Sequence, residues 1–125
     1  MTIRGVHTMY YSSEPDALRA FLRDQLGFPA TDVGGGWLIF DLPQADMGVH
    51  PTSGDAANGT QYLSFYCDDV HASVQQLRGR GVDFIDEVND QGYGLAIHFK
   101  MPGGLTAELY QPRYRQDGRI LSDSV

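Results

Sequence analysis

Histidine, glutamate and tyrosine side chains carry most of the chemistry open to this sequence. His7 sits in the alternating run IRGVHTMYY (3–11), and Glu108 sits in the closing run Thr106–Tyr110. Both runs are rich in β-branched or aromatic residues and read as strands. An imidazole and a carboxylate that face one space can act as an acid/base pair or ligate a divalent ion. Period two puts Met9 and Tyr11 on the same face as His7, beside whatever binds there. His50 follows Met47 closely and precedes Pro51, and a one-residue slip of that segment would turn it inward or outward. His98 alternates with Leu95, Ile97 and Phe99 and points away from them, either to solvent or to a pocket. His71 falls on a helix surface.

Aromatic residues are numerous enough to line a binding surface: Trp37, Tyr62, Tyr66, Tyr93 and Tyr110. They are either ordinary sheet residues, which strands favour, or flat walls for a planar ligand. Strand phase selects Tyr62 and Tyr110, and Trp37, Met47 and His50 complete the candidate lining. Gly34–Gly36 precedes a strand and not a helix, so no helix N-terminus is there to hold a phosphate. The single Cys67 lies in an apolar run and reads as a small buried thiol.

The elements that must position these groups are written twice. Residues 3–51 and 61–112 each run strand, helix, glycine, then a series of strands closing on a proline. In the first half, Ser13-Glu14-Pro15-Asp16 starts a helix carrying Leu18, Phe21, Leu22 and Leu26, and Gly27 stops it. Strands are expected at Trp37–Phe40 and Ala45–Val49. A polar linker, 52–60, leads to Tyr62–Cys67, and Asp68 or Asp69 caps a helix bearing Val70, Val74 and Leu77. Strands at Val82–Ile85, Leu95–Phe99 and Thr106–Tyr110 follow, with a turn at Pro102-Gly103-Gly104. The expected organisation is one domain over 1–112 with a loosely held tail, 113–125. Paired half-modules commonly place their binding site where the halves converge.

Composition excludes several function classes. Sixteen acidic against nine basic residues give a net charge of −7, and no basic stripe offsets it, so nucleic-acid binding is not expected. No apolar stretch approaches the ~20 residues that span a bilayer, and the first residues lack the apolar core of a secretory signal. A single cysteine suits a reducing cytoplasm.

A doubled βαβββ unit, with LGF after the first helix, Cys-Asp-Asp-Val entering the second and PGGLTAELYQP at the end, resembles the vicinal-oxygen-chelate superfamily. That group includes glyoxalase I, bleomycin-resistance proteins and extradiol dioxygenases. The resemblance implies an α+β fold: two tandem βαβββ modules forming a cupped, barrel-like mixed sheet, commonly as a homodimer, with a small molecule in the cup. It also implies metal ligands on the first and last strands of each module. By position these are His7 and Glu108, with Tyr62 and Met47 at the other two places. A phenol and a thioether are poor ligands for such ions, and two retained ligands fall short of the three that catalytic zinc normally keeps. The expectation is therefore small-molecule binding without the complete metal site, with His7 and Glu108 orienting polar groups. The alternative is a zinc-, nickel-, manganese- or iron-dependent lyase, isomerase or ring-cleaving dioxygenase that uses His7 and Glu108. A third possibility is a binding module without catalysis.

Overall fold

The structure, a computed structural model, describes residues 7–42, 44, 45, 48, 49, 52 and 58–113. Its first helix, α1, spans Pro15–Ala20 with Pro15 in the opening turn, where a missing N–H costs nothing. Ser13 does not cap it. The residue before the helix is Glu14, whose N–H donates to Ser12 Oγ at 3.0 Å. The helix continues as one wide turn, Phe21–Gln25, in which Leu26 N–H donates to Phe21 O across five residues. Gly27, at φ 77°, ends it. A second helix, α2, spans Val70–Gly79, with the Asp69 carboxylate accepting the Ala72 N–H at 3.1 Å.

Two sheets form. Strands β1 (Ala30–Asp32) and β2 (Leu38–Phe40) pair antiparallel around the Gly34–Gly36 turn, which folds over Asp32 Oδ1. Strands β3 (Ser64–Tyr66), β4 (Asn89–Asp90), β5 (Gly94–Met101) and β6 (Leu105–Pro112) form a mixed sheet in the order β3-β6-β5-β4. The β3/β6 pair is parallel, while β6/β5 and β5/β4 are antiparallel. The α+β class and the mixed sheet are as expected, but among the described residues the sheets do not close into a barrel.

Other departures have physical causes. Residues 7–11, expected to complete a strand, form none; Tyr10 alone packs on the core, and Met9 and Tyr11 stay exposed. Ala45 and Val49 are likewise outside any strand, and Val49 is exposed. The Val82–Ile85 segment contributes only a bridge between Phe84 and Phe99. It stops there because the Asp86 side chain, not a backbone carbonyl, accepts the next β5 donor, His98 N–H, at 2.8 Å. Arg113, placed in the loose tail, is held by Asp90; residues 114–125 lie outside the described residues.

The core lies on one face of the four-stranded sheet. Leu95, Ile97, Phe99 and Met101 of β5 and Ala107 and Leu109 of β6 pack under Leu18, Phe21 and Leu22 of the first half and Val70 and Val74 of α2. Phe99, 1% exposed, is the hub: Phe21, Phe65 and Phe84 ring centroids stand 6.3, 6.5 and 5.7 Å from it. Phe28 meets Phe65 at 5.1 Å. Both halves therefore roof the same sheet, and the alternate side chains face the other way.

Candidate functional site

That other face carries two adjacent cross-strand rows. Register sets Ser64, Glu108 and His98 side by side across β3, β6 and β5. Two residues further along each strand, roughly 7 Å away, stand Tyr66, Tyr110 and Ala96. The first row is polar and interconnected. Ser64 Oγ donates to Glu108 Oε1 at 3.0 Å, and Glu108 Oε2 lies 3.3 Å from His98 Nε2. Asp86 holds His98 twice, through the backbone N–H and through Nδ1 at 2.7 Å. Burial acts to raise the Asp86 carboxyl, but the His98 backbone N–H and ring outweigh it and keep the group below the ordinary carboxylate range.

The second row is aromatic. Tyr110 lies across Gly94, where an added Cβ would come within 2.5 Å of its ring, so only glycine lets the ring lie flat against β5. Tyr93 packs on Tyr110 with centroids 5.6 Å apart. Tyr66 donates through its hydroxyl to Gln44 Oε1 of the first half at 2.9 Å.

The candidates named from sequence are spread over several places. Glu108 and Tyr110 stand in the two rows. His7, Met9 and Tyr11 lie exposed on a segment outside the sheet. Trp37 is 49% exposed beside β2, with the Arg19 guanidinium 4.6 Å over its ring. Tyr62, 86% exposed, precedes β3, and the residue facing Glu108 is Ser64. Met47 and His50 lie outside the described residues. Burial raises the Cys67 thiol above its usual range, which disfavours the thiolate.

Sequence reasoning left His98 undecided and missed Ser64 and Asp86. A signal for His98 was present: a hairpin folded about the Pro102–Gly104 turn brings 98 opposite 108, as β5/β6 register does. Asp86 offered none, because it acts from an irregular segment. Glu108 has Ser64 and His98 as its neighbours, and among the described residues no three His, Cys, Asp or Glu side chains converge on one ion.

A family model described as Glyoxalase/Bleomycin resistance protein/Dioxygenase superfamily matches residues 4–109. The chain belongs to that superfamily. Among solved structures it is similar to TnmS3, an antibiotic binding protein from Streptomyces sp. CB03234. The identity is 25% and the TM-score 0.62, over 90% of this chain and 98% of that one. It shares a fold with a lactoylglutathione lyase from Agrobacterium tumefaciens at 18% identity, TM-score 0.61 and 89% and 96% coverage. A superfamily member from Sphaerobacter thermophilus DSM 20745 gives 23% identity, TM-score 0.58 and 89% and 99% coverage. No curated protein matches the chain significantly.

Proposed function

We propose that this protein binds a small, planar organic molecule on the helix-free face of the four-stranded sheet, without the complete metal site of its superfamily. The observation that carries this is the pairing of the two rows. A hydrogen-bonding centre, Ser64–Glu108–His98, lies directly beside an aromatic strip, Tyr66–Tyr110, next to the fully buried Ala96. Such a surface offers a flat ring a stacking partner and a few fixed polar groups that set its orientation. The similarity to an antibiotic binding protein at 25% identity supports the same reading. Lyase, isomerase or dioxygenase chemistry through His7 and Glu108 draws no support from the described residues, where His7 stands exposed outside the sheet.

The reading extends to a homodimer, in which a second copy covers apolar side chains that one copy leaves in water, and to a reducing, cytoplasmic setting. No helix among the described residues is long and apolar enough to cross a membrane.

The test is a nuclear magnetic resonance titration with a panel of planar polycyclic antibiotics. Saturable shifts should appear at Ser64, Tyr66, His98, Glu108 and Tyr110, with the compound recovered unchanged. Tyr110→Ala should weaken binding several-fold, since an aromatic contact is worth about 1 kcal/mol. Shifts confined to the helix face, or none for any compound, would remove the basis for this reading.

A further inference from the structure

The sequence holds two asparagines, and the fold treats them differently. Asn89 stands in β4, where its Nδ2 donates to Ala96 O at 2.9 Å and to Glu87 O at 3.4 Å. Those bonds fix the side-chain amide over β5, and the residue that follows, Asp90, carries a side chain of its own. Asn58 has neither restraint. It lies exposed in the turn at 58–59 that closes the linker, and among the described residues nothing hydrogen-bonds its side chain. The residue that follows it is Gly59, at φ 88°, and a Cβ built there would meet nothing within 4 Å. The Gly59 nitrogen is therefore screened neither by a side chain nor by a neighbour, and its N–H has no partner among the described residues. An asparagine amide is a carbon electrophile that the next backbone nitrogen can reach by closing a five-membered ring. It is one of the thermally labile groups in proteins, and crowding at the next residue is what slows it.

We propose that Asn58–Gly59 is a self-modification site, at which Asn58 deamidates through a cyclic succinimide where the two halves join. The Gly59 nitrogen gives up its proton and attacks Asn58 Cγ. A new C–N bond forms as the Cγ–Nδ2 bond breaks, and Nδ2 leaves as ammonia with that proton. Water then opens the ring. Addition at Cγ restores the ordinary main chain with an aspartate at this place. Addition at the former Asn58 carbonyl carbon leaves isoaspartate, whose main chain runs through Cβ and Cγ and is one methylene longer. Nothing is oxidised or reduced. Either product adds a negative charge to a chain that already carries −7. The attacking nitrogen must lose its proton, so the reaction quickens as pH rises. The site lies outside the polar and aromatic rows and does not depend on what binds there.

The experiment incubates the full chain in mildly alkaline buffer at physiological temperature, with and without denaturant. Peptide mapping by mass spectrometry follows both asparagines and separates aspartate from isoaspartate by retention. In the folded chain Asn58 should convert progressively to both products, faster at higher pH, while Asn89 stays an amide. Denaturant should barely change the rate at Asn58, because nothing in the fold holds it. Gly59→Ala should slow the conversion several-fold; the turn is exposed, so the variant should still fold, and the denaturant comparison decides if it does not. The proposal is overturned by an Asn58 that remains an amide throughout, by a rate there that climbs steeply on unfolding, by Asn89 converting alongside it in the folded chain, or by a folded Gly59→Ala that converts as fast.

Discussion

Gln111 is the one buried polar side chain among the described residues, 2% exposed, and its Oε1 accepts the Val70 N–H at the start of α2 at 2.8 Å. The first N–H groups of a helix have no partner within it, and this one is sealed from water by the core. Gln111→Leu should therefore cost about 1–3 kcal/mol, read as a lower denaturation midpoint with an unchanged slope. At this scale the sequence was half legible. The run before the apolar residues offered Asp68 or Asp69 as the cap, and Asp69 takes it, while Gln111 caps the same helix from β6, and only tertiary packing brings it there. The same divide runs through the site. Glu108 follows from the resemblance and Tyr110 from its strand phase beside it, whereas Ser64 depends on where β3 begins, and a shift of two residues put Tyr62 in its place.

Among the elements, the β4–β5 hairpin is tied to the end of β6 by Arg113, whose guanidinium donates to both Asp90 oxygens at 2.7 and 3.0 Å. The hydrogen bond from Arg113 holds the Asp90 carboxyl below its usual range, helped by the Gly92 N–H. A carboxyl lowered by folding stabilises the fold at pH above its unfolded value, and that contribution is lost as pH falls through the folded one. The hairpin should thus loosen below the ordinary carboxylate range, seen as lower amide protection factors at Gln91–Gly94 on acidification. Asp90→Asn should remove that pH response while leaving exchange in α2 unaltered. The second half was legible because β5 and β6 have eight residues each, long enough for their apolar periodicity to show. By contrast, β1 and β4 have only three and two residues, too short for periodicity to show. The run 7–11 has the composition of a strand but no strand in the described residues pairs with it, a reminder that strand propensity needs a partner.

For the molecule as a whole, apolar exposure is concentrated outside the roofed sheet: Tyr11 90%, Val49 97%, Tyr62 86% and Val33 64%. A two-stranded sheet such as β1–β2 gains little stability alone, and these side chains give the proposed second copy something to bury. Light scattering across a dilution series should report a two-chain particle, and Tyr62→Lys should shift it toward one chain. A single-chain mass at every concentration would count against the dimer. The fold class was readable from the doubled pattern, but the side chains through which its copies meet were not. Phe21 and Phe28 come from the first copy, while Phe65 and Phe99 come from the second, and they interlock as one aromatic stack. The copies have thereby ceased to be interchangeable parts. A chimera assembled from this chain and a relative, if joined at the linker, would divide that stack between two ancestries. A workable exchange has to move the four rings together, so the unit of inheritance here is the shared core and not the repeat.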